Sequence, residues 1–165
     1  MIGARTSAVT VVLLLSLADP AVARAQARGT GPKPELRVDV IASDGRASVQ
    51  AGGGAQIPAG DYTRIGVIGA AGSDVVDGSP HASGRIDILA RFLLDPFRQT
   101  TWGFSAGAGI SMRVRTGDRA RPLLLAVLDW EGPRRQSGVS PAFQIGLGGG
   151  VRIGGAVRWG APGER

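Results

Sequence analysis

From Thr100 to Arg115 the chain alternates without a break. Even positions are apolar or nearly so (Trp102, Phe104, Ala106, Ala108, Ile110, Met112, Val114), and odd positions are small or polar (Gly103, Ser105, Gly107, Gly109, Ser111, Arg113, Arg115). Successive side chains of a strand point to opposite faces, so sixteen alternating residues predict a long β-strand with two unlike faces. The same pattern recurs along the chain. Leu36, Val38, Val40 and Ala42 are apolar on even numbers, whereas Ala47, Val49, Ala51, Ala55 and Ile57 are apolar on odd ones. The phase flips across Ser43-Asp44-Gly45-Arg46, and Asp-Gly is a favoured two-residue hairpin loop. With Asp44-Gly45 as that loop, Ser43 faces Arg46, Val40 faces Val49 and Val38 faces Ala51, so apolar meets apolar.

Further on, Pro58–Asp61 reads as a short turn and Tyr62–Ser73 as a strand carrying Ile65 and Val67. Asp74–Ser83 reads as a loop. Gly84–Leu94 alternates, with Ile86, Ile88, Ala90, Phe92 and Leu94 set against Arg85, Asp87, Leu89 and Arg91, and Arg121–Trp130 is apolar on both faces. Val139–Trp159 keeps one phase throughout. As a single strand it would be about 70 Å long at 3.3 Å per residue; the alternative is a hairpin around Gly148-Gly149-Gly150 that pairs Leu147 with Val151. No segment of this region has a helical period. Short strands separated by turn signals predict an all-β fold, an antiparallel up-and-down meander barrel of about eight strands, with six to eight compatible.

The N-terminus reads differently. Residues 1–27 carry Arg5, then the apolar run Ala8–Ala18, then A-x-A sites at Ala21-Val22-Ala23 and Ala25-Gln26-Ala27. These are the three regions of a secretory signal peptide, and the run is short of the roughly 20 residues a spanning helix needs. Residues 28–35 are then a Gly/Pro linker, 36–159 the barrel and 160–165 a C-terminal tail. The chain has no cysteine, which excludes disulfides, thiolate catalysis and Cys-based metal sites. Its net charge is +6, almost all from arginine, since Lys33 is the only lysine. A basic chain often binds nucleic acid; export argues against that partner and for anionic lipid surfaces.

Composition decides which face meets what. There are 27 glycines in 165 residues, well above the ~7% of average usage, and they fall inside the strands. On the wetted outside of a soluble barrel, glycine costs entropy and protects nothing. Inside a narrow barrel, small residues leave room for Arg, Asp and Gln opposite. Trp102, Phe104, Ile110, Met112, Phe143, Ile145, Val151 and Ile153 are then expected to face lipid, and Arg113, Arg115, Arg152 and Arg158 the lumen or rim. The stretches QAGGGAQIPAGDY, GFSAGAGISMRV and GLGGGVRIGGAVRW resemble the small outer-membrane barrel domains grouped as OmpA/OmpX-like, over roughly residues 36–159. That resemblance implies a meander barrel in a bacterial outer membrane. Trp159 is followed by GAPGER, where such barrels close on an aromatic, and aromatics make up only 5% of the chain.

Catalytic motifs are sparse. Gly103–Gly107 matches G-x-S-x-G, yet Ser105 sits inside a strand pattern and the one histidine, His81, precedes it, against the order of a hydrolase elbow. His81 with Ser79 or Ser83, and Asp74, Asp77 or Asp87 as orienter, would be the general-base constellation of a lipid-modifying barrel enzyme. One His and no Cys exclude ordinary zinc sites, and no nucleotide-binding glycine motif is present. The Arg134-Arg135 pair reads as a solvated loop or a phosphate contact. The expected protein is a non-catalytic outer-membrane barrel without cofactor or metal. A periplasmic lipocalin-like barrel with an apolar ligand is the alternative, and the lipid-modifying enzyme is third.

Overall fold

The structure is a computed structural model that describes residues 31–160 except 44, 77, 97–100, 116, 118 and 134–137. Eight antiparallel strands, β1 (Lys33–Ser43), β2 (Arg46–Pro58), β3 (Thr63–Val76), β4 (Ser79–Leu93), β5 (Gly103–Arg115), β6 (Arg121–Glu131), β7 (Val139–Leu147) and β8 (Val151–Trp159), follow one another around a closed barrel. Among the described residues there is no helix. The ring closes where β8 pairs with β1, from Glu35↔Arg158 to Ala42↔Val151.

The hairpin expected at residues 44–45 forms in the expected register, with Ser43↔Arg46, Val40↔Val49 and Val38↔Ala51, and Gly45 adopts φ 65°. Residues 139–159 are a hairpin rather than one strand, turning on Gly148–Gly150 and pairing Leu147 with Val151. Three expectations need correction. Asp74–Ser83 is not a loop: β3 and β4 run on to Val76 and Ser79, which leaves only residues 77 and 78 between them, with Gly78 at φ 78°. The polar residues there mark strand ends rising past the apolar band, and Asp-Gly is the hairpin signal again. β1 begins at Lys33, inside the stretch read as linker, because the Glu35, Arg37, Asp39 face starts that early. β5 begins at Gly103, so Trp102 precedes it. The signal-peptide reading of 1–27, residues 134–135 and most of the tail lie outside the described residues.

Register fixes the tilt. The outward row Ile57↔Ile65↔Ala90↔Ala108↔Ala126↔Leu147↔Val151↔Ala42↔Ala47 runs once around the wall. It leaves β2 at Ile57 and returns to it at Ala47, ten residues away. Ten residues of rise against eight inter-strand spacings tilts the strands about 40° from the axis. Such a barrel is only wide enough for side chains to fill.

The polarity is inside-out relative to a soluble domain. Among the described residues, 25 large hydrophobic side chains are exposed, all but Tyr62, Leu94 and Trp102 on strands, whereas only Ile41, Ile68, Ala70, Leu89, Leu125 and Val127 form the buried hydrophobic set. Phe104, Ile110, Met112, Phe143, Val151 and Ile153 all point outward and are exposed, and Trp102, just before β5, is exposed too. Ile145 lies on the same face, half-buried between its partners Leu128 and Ile153. The aromatics gather at the end that holds both termini. There Phe104, Trp130 and Phe143 stand side by side on β5, β6 and β7, with centroids 6.2 and 5.9 Å apart, and Tyr62 stacks on Phe92 at 5.8 Å. Few aromatics therefore still make a belt, at one end.

Candidate functional site

The interior is the chemically dense part of the molecule. Inward-facing positions of every strand carry charge or amide groups: Glu35, Arg37 and Asp39 on β1, Gln50 and Gln56 on β2, Asp74 on β3, Arg85, Asp87 and Arg91 on β4, Arg113 on β5, Asp129 and Glu131 on β6, Gln144 on β7, Arg152 and Arg158 on β8. Small residues make this possible. A Cβ at Gly154 would overlap the Asp39 carboxylate, and one at Gly66 would lie 3.1 Å from an Arg91 guanidinium nitrogen.

Near the terminal end, Arg158 donates to Glu35 (Nε–Oε2, 2.7 Å) and to Asp129 (Nη2–Oδ1, 2.7 Å). Asp129 also accepts from Arg91 Nε at 3.1 Å and from Gln144 Nε2 at 2.9 Å. Arg37 links this cluster to the next. It donates to Glu35 at 3.3 Å, to the Gln144 carbonyl, and through Nε and Nη2 to both oxygens of Asp39 at 2.8 and 2.6 Å. In the middle of the barrel, Arg85 bridges Asp39 and Asp87 (Nε–Oδ2, 3.0 Å). Asp87 further accepts from Ser111 at 2.6 Å and Arg152 at 2.7 Å. At the two ends, half-buried Arg64 and Arg113 hold Glu131 (3.2 Å) and Asp74 (2.9 Å).

Charge is close to balanced. Among the described residues six buried carboxylates (Glu35, Asp39, Asp74, Asp87, Asp129, Glu131) meet five buried arginines (37, 85, 91, 152, 158) plus Arg64 and Arg113. Desolvating that many ions is tolerable only because nearly every one has an opposite charge and hydrogen bonds around it. An arrangement of this kind fixes the strands relative to one another.

Of the general-base candidates, Asp77 lies outside the described residues and the others are placed as follows. His81 is exposed at the far rim, opposite Asp74 in register, while Asp74 is taken by Arg113. Asp87 lies six residues along the same strand, about 20 Å away, and is saturated by Arg85, Arg152 and Ser111. Ser79 is exposed and Ser83 is buried, accepting from Gln50 at 2.9 Å. Ser105 is buried near the start of β5, paired across to Leu93 and Asp129, without the turn a nucleophile elbow requires. No group of three or more potential metal ligands occurs among the described residues.

Of the arginines expected at the lumen or rim, Arg152 and Arg158 are fully inside and Arg113 and Arg115 half-buried near the far end. Sequence reasoning missed Glu35, hidden in the supposed linker, and the pairing of Asp129 with Arg158. The available signal was phase: Glu35 continues the odd-numbered face of Arg37 and Asp39. Set against known protein families and against curated proteins, the chain finds no match.

Proposed function

We propose that this chain is an integral outer-membrane β-barrel with a structural or surface-interacting role and no catalytic activity, exported by a signal peptide at residues 1–27. The observation that carries the reading is the exposed apolar wall of a closed barrel whose core is ionic, with 25 large hydrophobic side chains exposed among the described residues, nearly all of them on strands. Covering those side chains is worth on the order of tens of kcal/mol at roughly 1.5–3 kcal/mol for each complete burial, and a monomer in water leaves that unrealised. Strand lengths agree: all eight have 9 to 15 residues, against the 9–11 that a tilted strand needs to cross a bilayer. A lipocalin-like ligand binder needs the reverse polarity, an apolar cavity inside a polar wall. The OmpA/OmpX-like resemblance points the same way as the wall.

The test is to express the precursor in a Gram-negative host, isolate outer membranes, and compare boiled with unboiled samples by gel electrophoresis in dodecyl sulfate. The reading expects the protein in that fraction, with a band that changes mobility on boiling because the closed barrel resists the detergent cold. Recovery as a soluble periplasmic protein with no shift would overturn it.

A further inference from the structure

The barrel wall is stepped where a strand outruns its neighbour, and the longest such step is on β6. β6 pairs with β5 along its whole length, Arg121 to Glu131, but with β7 only from Ala126 to Glu131. Beyond Leu147 the chain turns back through three glycines, so Arg121–Leu125 has a strand partner on one side only, with the Gly148–Gly149 turn packed against Leu123 and Leu125 on the other. The result is a notch between β6 and the β7–β8 turn, a groove of about 930 Å³. Its walls are apolar and small, among them Leu124, Ala126, Leu147, Val151 and Ala42. Leu124, at 85%, is the most exposed large hydrophobic side chain in the described chain. The groove opens onto the outer apolar face through Leu124, Leu147 and Val151, all exposed.

Next to it, inside the mouth at the same end, lies a smaller polar pocket of about 160 Å³. Arg46, Arg113, Arg115, Arg119 and Arg121 line it, with Asp74 the one described carboxylate. Asp74 is held by Arg113. Arg46, Arg119 and Arg121 are exposed and make no ion pair among the described residues; Asp44 and Asp118 lie outside those residues. Ser43 and Gly149 line both cavities, so the two are contiguous.

An apolar groove open to the outer wall and joined to an arginine-lined pocket matches an amphiphile with an anionic head. Arginine binds phosphate oxygens in bidentate fashion. We propose that the notch and the mouth together bind one phosphorylated membrane lipid, its acyl chain along Leu124, Ala126 and Leu147 and its phosphate against Arg46 and Arg121. The proposal rests on the membrane reading above, since only a barrel in a bilayer meets such a lipid from the side.

The test uses the exported chain purified from outer membranes and reconstituted into phosphatidylcholine vesicles containing a minor fraction of spin-labelled phosphatidic acid or, separately, spin-labelled phosphatidylcholine. Electron spin resonance then reads the motionally restricted lipid. Phosphatidic acid should be held in preference to phosphatidylcholine, with about fivefold contributed by each arginine at the headgroup. Arg46→Gln/Arg121→Gln should bring that preference close to one. Ala126→Phe, which fills the groove without touching charge, should remove the restricted phosphatidic acid as well, whereas Lys33→Gln at the opposite end should change nothing. Variants are compared after each has shown the folded, heat-shifting band. A barrel that inserts but holds both lipids equally, or keeps its preference in the double arginine variant, overturns the proposal and leaves the membrane reading standing. So does a dimer that excludes lipid from the notch. Failure to associate with vesicles at all would overturn both.

Discussion

Asp87 sits where the interior network is most easily tested. It accepts from Arg85 at 3.0 Å, Arg152 at 2.7 Å and Ser111 at 2.6 Å, with no exposed surface of its own. Arg85 has a second carboxylate, Asp39. Arg152, 1% exposed, makes its one ion pair among the described residues with Asp87. Asp87→Asn therefore leaves a buried guanidinium without a counter-charge, a change that costs about 3–5 kcal/mol. Arg152→Met is milder, about 2 kcal/mol, because Asp87 keeps Arg85 and Ser111. In the double variant the buried charge is gone with its partner. It should be more stable than Asp87→Asn alone, with a coupling of at least about 2 kcal/mol. Urea unfolding of the barrel in detergent micelles, followed by tryptophan fluorescence and by loss of the heat-shifting band, gives the numbers. At about 2 kcal/mol per molar, Asp87→Asn should lower the midpoint by about 2 M. A loss below about 1 kcal/mol, with the double variant simply additive, would refute the reasoning. The bore would then hold enough water to screen its charges.

Two further outcomes follow from glycine positions. Gly154 and Gly155 are neighbours on β8 with opposite faces. Gly154→Ala puts a methyl on the Asp39 carboxylate and should cost about 1–3 kcal/mol, while Gly155→Ala, with nothing within 4 Å, should unfold like the parent in the same urea assay. Gly45→Val forces a β-branched residue to φ 65° in a two-residue turn and should cost about 1–2 kcal/mol; unchanged stability would mean the turn is not of the type described.

Much of the architecture is legible in the sequence because a barrel wall is a local object. Alternation reports the faces of each strand, and parity reports the turns. The flip across Asp44-Gly45 gave the β1–β2 register to the residue. Gly148–Gly150 keeps parity, which is why one strand and a hairpin looked alike until Leu147 met Val151. Asp77-Gly78 carried the same turn signal as Asp44-Gly45, but the polar residues around it belong to strand ends beyond the apolar band and masked the alternation. The interior is another matter. Arg158 and Glu35 are 123 residues apart and meet because β8 closes on β1 with a particular stagger. Stagger is a property of the whole ring, so the sequence reveals which side chains point inward but not which of them pair. The same holds for the notch, which exists because β7 stops at Leu147 while β6 runs on to Arg121.

The central claim is that the even-numbered face of β5 meets lipid and the odd-numbered face meets the ionic bore. The absence of cysteine from the chain makes this directly measurable. Single cysteines placed in turn from Phe104 to Met112, in barrels reconstituted into vesicles, would carry an environment-sensitive fluorophore whose emission is quenched by brominated acyl chains. The account predicts quenching with period two, strong at 104, 106, 108, 110 and 112 and weak or unlabelled at 105, 107, 109 and 111. Uniform quenching by an aqueous quencher at the even positions, with brominated lipid without effect, would contradict it and put that apolar wall in contact with something other than a membrane.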